Sequence, residues 1–114
     1  MREDGKIDYV ELPGGDLAAT RAFYGAAFGW SFIDYGPTYV AFEEAGLEGG
    51  FQADPAERPS TPLVVLYAHD LEAMAEKVIA SGGAITRPIF RFPGGRRFQF
   101  RDPSGNELAV WSET

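Results

Sequence analysis

The chain contains no cysteine and a single histidine. Without thiols there can be no disulfide, no thiolate metal site and no cysteine nucleophile. His69 alone cannot build a histidine-rich metal centre, and its place just ahead of Asp70, between an apolar run and a helical pattern, reads as a surface loop position. A serine triad would need that same histidine. Ser31, Ser60, Ser81, Ser104 and Ser112 also lack the strand-turn-helix context of a nucleophile elbow. Positive charge is scarce as well: ten Lys and Arg stand against seventeen Asp and Glu, a formal net charge of −7. Such a surface repels phosphate backbones and anionic lipid, so neither nucleic acid nor membrane is an expected partner. It admits cationic ligands, and it also serves solubility. No apolar run reaches membrane length, and Arg2, Glu3 and Asp4 follow the first residue where a signal peptide would begin its apolar core. A cytoplasmic location is the expectation.

What the chain does have is an internal repeat. Asp16 to Gly29 and Asp70 to Gly83 match at the opening Asp-Leu, at Ala19 and Ala73, at Ala26 and Ala80, and at the closing glycine, all at one offset of 54 positions. The preceding runs keep that offset, Tyr9 falling on Leu63 and Leu12 on Leu66. A repeat this long predicts two copies of one supersecondary unit related by a pseudo-twofold, with a ligand groove between them.

Each copy reads as β-α-β-β-β. Ile7 to Leu12 is β-like and stops at Pro13-Gly14-Gly15. Asp16 then caps a helix whose apolar stripe is Leu17, Tyr24, Ala27 and Phe28 with Phe23 beside it, and Gly29 supplies the left-handed exit. Trp30 to Tyr35, Thr38 to Glu43 and Gly49 to Ala53 read as three short strands. Residues 54–62 carry three prolines and no apolar periodicity, a linker between module one (about 7–53) and module two (about 63–112) of a single domain spanning 1–114. In module two, Leu63 to Ala68 precedes a helix capped by Asp70 with the stripe Leu71, Met74, Ala75 and Val78. Ala84 to Phe92, Arg96 to Arg101 and Glu107 to Trp111 then follow as strands, the last two joined by the Asp102 to Asn106 turn. Gly94-Gly95-Arg96-Arg97 has no Walker lysine pattern and reads as a hairpin tip. The fold class is α+β.

Phe23-Tyr24 with Phe28-Gly29-Trp30 at the end of the first helix, and Phe100-Arg101-Asp102-Pro103-Ser104-Gly105-Asn106 before the last strand, carry a resemblance. In this order, from Ile7 to about Ser112, the chain resembles the vicinal oxygen chelate superfamily, the glyoxalase, bleomycin-resistance and extradiol-dioxygenase group. The resemblance implies two βαβββ modules forming a curved, cup-like mixed sheet, commonly in a homodimer. It also implies, in catalytic members, a divalent metal held by His, Glu or Gln on the first and last strands of each module. Carried over residue by residue, three of those ligand places fall on Tyr9, Leu63 and Ala109, and the fourth lies near Glu48 or Gln52. Leu and Ala have no lone pair for a metal and Tyr is an uncommon ligand, so the resemblance implies a member without the usual metal site and without a cofactor.

Strand alternation puts Tyr9 with Glu11 on one face of the first strand and Glu107 with Ala109 on one face of the last. The two glutamates read either as an inward acid/base or cation-binding pair, or as rim residues satisfied by Arg97 or Arg101. Gly49-Gly50 within a strand pattern marks close approach of a ligand or backbone, or else a bulge. Among the sixteen aromatics, Tyr9, Tyr39 and Tyr67 can present hydroxyls to a cavity. The expected ligand-binding set is Tyr9, Glu11, Tyr39, Gly50, Gln52, Tyr67, Arg97 and Glu107, with Tyr9, Glu11, Tyr67 and Glu107 lining one cavity. The function that follows is glyoxalase/bleomycin-resistance-like binding of a small organic molecule, cationic or aromatic. The alternatives are a metal-dependent lyase, isomerase or dioxygenase with an unconventional site, and a non-catalytic interaction or regulatory module.

Overall fold

The computed structural model describes residues 2–114. Ten elements alternate along it: β1 (Ile7–Pro13), α1 (Leu17–Phe28), β2 (Ser31–Asp34), β3 (Tyr39–Glu43), β4 (Gly49–Gln52), β5 (Leu63–Tyr67), α2 (Leu71–Ala80), β6 (Ala84–Phe92), β7 (Gly95–Arg101) and β8 (Glu107–Ser112). This is the α+β arrangement of two βαβββ modules, with mixed strand pairing. In module one the strands run in the order β2-β3-β4-β1, β1 lying parallel to β4; in module two the order is β5-β8-β7-β6, β5 lying parallel to β8. Parallel closure of each module is what its helix permits, because the helix carries the chain back across the sheet.

Two compact units emerge, one of Tyr9–Leu63 and one of Val64–Thr114 together with the residues up to Asp8. The N-terminal arm belongs to the latter through its backbone: the Gly5 N–H donates to the Tyr67 carbonyl at 2.8 Å, and the Tyr67 N–H donates to the Lys6 carbonyl at 3.1 Å.

Local chemistry sets the helix ends. Asp16 and Asp70 are extended, and each accepts a hydrogen bond from the N–H three residues on, Ala19 at 3.1 Å and Ala73 at 3.0 Å. Gly29 closes α1 at φ 76°, a conformation that costs side-chain-bearing residues most. The core of module two is Ala68, Leu71, Phe98, Phe100 and Val110, onto which Met74, Ala75 and Val78 of α2 pack. That stripe is the one read from the sequence.

In α1 the expected stripe is only partly right. No residue of α1 is buried, and Leu17 and Tyr24 alone carry the contact onto Val40, Phe42 and Phe51. Phe28 is 62% exposed and Phe23 58%. The reason is position: Phe28 is the last helical residue, so its ring overhangs the core and rests against Tyr24 and Trp30, with ring centroids at 5.9 and 6.2 Å.

Candidate functional site

Alternation gives each sheet a face under its helix and a face without one. In module one Val40, Phe42 and Phe51 point to α1. The opposite parity therefore places Tyr9, Glu11, Tyr39, Ala41, Gly50 and Gln52 on the helix-free face. The register makes them neighbours: Glu11 pairs with Gly50, Gly50 with Ala41, and Tyr39 with Gln52. Five of the sequence-derived candidates, Tyr9, Glu11, Tyr39, Gly50 and Gln52, thus share one patch.

Tyr39 lies across Gly50. A Cβ at Gly50 would stand 2.5 Å from the Tyr39 hydroxyl oxygen and 2.7 Å from Cζ, so the glycine is the floor on which this ring rests. The hydroxyls of Tyr39 and Tyr9 are hydrogen-bonded to each other. Burial, the largest cause, holds the Tyr9 hydroxyl above its usual value of 10. The Tyr39 hydrogen bond pulls it the other way, and the charges of Glu11 and Glu48, with Tyr35 close by, push it further up. Tyr9 is therefore a neutral hydroxyl at physiological pH, able to donate or accept. Glu11 is only 5% exposed. The patch is phenolic and acidic, and Tyr35 and Glu48 belong to it electrostatically. Tyr35 closes the strand read from the sequence as Trp30 to Tyr35, whereas β2 ends one residue earlier, at Asp34.

In module two the helix-free face carries Val65 and Tyr67 on β5, Glu107, Ala109 and Trp111 on β8, and Arg97, Gln99 and Arg101 on β7. Glu107 Oε2 accepts from the Thr86 hydroxyl at 2.6 Å and from the Gln99 amide at 3.2 Å, so neutral donors hold it where the sequence suggested Arg97 or Arg101. Arg97 packs its guanidinium toward Phe90 and Phe92, 5.3 and 5.9 Å from the ring centroids, and donates to Gln99 Oε1 at 3.3 Å. The Tyr67 hydroxyl donates to Glu113 at 2.8 Å. Trp111 was missed among site candidates, although it follows from Ala109 by the same alternation. His69 is exposed, as its loop position suggests.

A second opening lies on the helix side of module one, a cavity of about 190 Å³ lined by Val10, Leu12, Trp30, Phe42, Ala45 and Leu47. It is below the ~300 Å³ of a typical ligand pocket, and Trp30 is the one lining side chain that carries a polar group.

The family model for the Glyoxalase/Bleomycin resistance protein/Dioxygenase superfamily matches residues 6–110. The chain belongs to this superfamily. It is 29% identical over 121 residues to "Putative glyoxylase CFP32" of Mycobacterium bovis, covering 94% of this chain and 45% of that protein. It is 31% identical over 120 residues to "Anthracycline biosynthesis protein DnrV" of Streptomyces peucetius, covering 93% of this chain and 41% of that one. The chain therefore spans about half the length of the curated relatives it matches. A superfamily member of solved structure from Vibrio splendidus 12B01 superposes with a TM-score of 0.70 at 16% identity, over 94% of this chain and 97% of that one, a likeness of fold.

The resemblance implies four metal-ligand places, and the register defines where the fourth would stand here. Val65 pairs with Ala109 across β5 and β8, and its repeat partner Glu11 pairs with Gly50 across β1 and β4. Gly50, rather than Glu48 or Gln52, is thus the counterpart of Ala109. Gln52 Oε1 accepts from the Asp54 N–H at 2.9 Å. Tyr9, Leu63, Ala109 and Gly50 do not fit a divalent ion. Among the described residues no group of three or more His, Asp or Glu is placed to hold one.

Proposed function

We propose that this superfamily member binds a small organic cation through the helix-free face of module one, without the divalent metal used by catalytic relatives, and that it does so as a homodimer. The observation that carries the reading is the replacement of a metal-ligand set by a phenol-carboxylate patch: Tyr9, Tyr39 and Tyr35 beside Glu11 and Glu48. Aromatic faces attract ammonium groups through their quadrupole, by ~0.5–2 kcal/mol each according to desolvation. Carboxylates supply the counter-charge, and the neutral Tyr9 hydroxyl can accept an N–H from the guest while its bond to Tyr39 persists. A net charge of −7 favours the approach of such a ligand. A second reading, a metal-dependent lyase, isomerase or dioxygenase, is supported by the glyoxylase name of the mycobacterial relative. The donor chemistry of this chain weighs against it.

Two measurements separate the readings. Elemental analysis of protein purified without chelator should find well under one equivalent of zinc, iron, nickel or manganese. Thermal-shift titration should show stabilisation by benzyltrimethylammonium and little by benzyl alcohol, and Glu11→Gln should lower that affinity about tenfold. One equivalent of metal, or equal responses to the charged and neutral probes, would overturn the proposal.

A further inference from the structure

The N-terminal arm brings a cation of the chain itself onto an aromatic-carboxylate cage in the second unit. The Arg2 guanidinium lies over the Trp111 ring, 4.9 Å from its centroid. Its Nε donates to Asp8 Oδ2 at 3.0 Å, and one terminal nitrogen stands 3.8 Å from Glu113 Oε2. The cage is organised independently of its occupant. Asp8 Oδ2 also accepts from the Trp111 indole N–H at 2.9 Å, while Glu113 Oε1 is held by the Tyr67 hydroxyl at 2.8 Å. Tyr67 and Phe92 flank the indole, with ring centroids at 5.7 and 6.2 Å. The arm's backbone is fastened separately by the Gly5 and Lys6 bonds to Tyr67 and by the His69 N–H donating to Asp4 at 2.7 Å.

We infer that Trp111, Asp8, Glu113 and Tyr67 form a binding site for a small alkylguanidinium, in which Arg2 is a resident that an exogenous guanidinium displaces. Four features match this ion rather than a generic positive charge. A planar cation covers an indole face, a carboxylate takes its inner Nε–H, a second carboxylate stands 3.8 Å from one outer nitrogen, and a buried tyrosine orients that second carboxylate. An ordinary exposed ion pair has none of the last two. Because Asp4, Gly5, Lys6 and Asp8 remain anchored when the Arg2 side chain leaves, the cage survives its own emptying. Arg2 then acts as a competitor: if it fills the cage nine-tenths of the time, an outside ligand sees an affinity about tenfold below the intrinsic one. This site shares no residue with the phenolic patch of module one and stands or falls without it.

The test uses the indole N–H signals of the chain's two tryptophans in ¹⁵N-correlated NMR spectra, assigned with Trp111→Phe. Butylguanidinium chloride is titrated into wild type and Arg2→Ala, with butylammonium chloride as the control of equal charge. The Trp111 signal should move in both proteins, the apparent Kd should fall at least about tenfold in Arg2→Ala, and butylammonium should bind clearly more weakly. Adding Glu113→Gln to Arg2→Ala should weaken butylguanidinium about tenfold. An unchanged Kd in Arg2→Ala, equal binding of the two cations, or shifts confined to Trp30 would each overturn the inference.

Discussion

Gly49 and Gly50 are adjacent glycines in β4, and their missing side chains serve opposite faces of the sheet. At Gly49 a Cβ would stand 2.3 Å from the Val10 carbonyl oxygen and 2.2 Å from Phe42 Cζ, so backbone and core both forbid it. At Gly50 the three nearest atoms all belong to the Tyr39 side chain. We predict that Gly49→Ala destabilises by about 3 kcal/mol or more, as severe overpacking does, whereas Gly50→Ala costs about 1–2 kcal/mol. Gly50→Ala should also displace Tyr39 from Tyr9 and abolish the thermal shift with benzyltrimethylammonium. Chemical denaturation of both variants checks the ranking; equal losses would mean that Tyr39 is not seated on Gly50. At this scale the sequence was informative about residue type and blind to pairing. A double glycine in a strand announced close approach, and the tyrosines announced hydroxyls. That Gly50 stands across from Glu11 depends on strand register, which a one-residue slip would have reversed.

The helices show why one element was more legible than the other. In α2 the stripe Leu71, Met74, Ala75 and Val78 is wide and central, and it packs as read. In α1 the aromatic residues crowd the C-terminal end, where the helix outruns its core, so periodicity identified the helix but overstated what it buries. The links between elements carry a pH signature. Arg96 forms a two-pronged ion pair with Glu72, at 2.6 and 3.2 Å, tying β7 to the first turn of α2. The bonds from Arg96 chiefly hold the Glu72 carboxyl below its ordinary 4.5. In the β7–β8 turn, the Asn106 backbone N–H and then its side-chain amide hold Asp102 below 3.8. Both carboxyls have lower pKa values folded than unfolded. Their stabilisation is therefore fully present above the ordinary values and is lost as pH falls through the folded ones. Urea midpoints should stay level from pH 7 to about 5 and decline below about 4.5. That decline should be shallower in the double variant Glu72→Gln with Asp102→Ala; an identical slope would show that neither link titrates with folding.

For the molecule as a whole, the repeat offset, the turn signals and the two motif runs were enough to reach the fold, because all are properties of local sequence. The candidate site was legible only as a set of residue types, since which of them meet is fixed by pairing between strands far apart in the chain. The surface adds a further asymmetry. Ile7 on β1, Phe23 and Phe28 on α1, Ile33 on the edge strand β2, Tyr35 just after it and Leu47 before β4 are exposed in module one, against Ile79 on α2 in module two. An edge strand flanked by uncovered aromatic and branched side chains is a template for association unless charge or another chain covers it. Here Asp34, paired with Arg21, is the charged residue on β2. The homodimer proposed above would cover this region with its own copy, the self-complementary arrangement that twofold symmetry favours. Sedimentation equilibrium at tens of micromolar should then return twice the chain mass for wild type, and Ile33→Lys with Phe28→Glu should return a folded monomer by circular dichroism. A wild-type monomer at that concentration would refute the dimer. A double variant that remains dimeric would move the interface away from β2 and the end of α1.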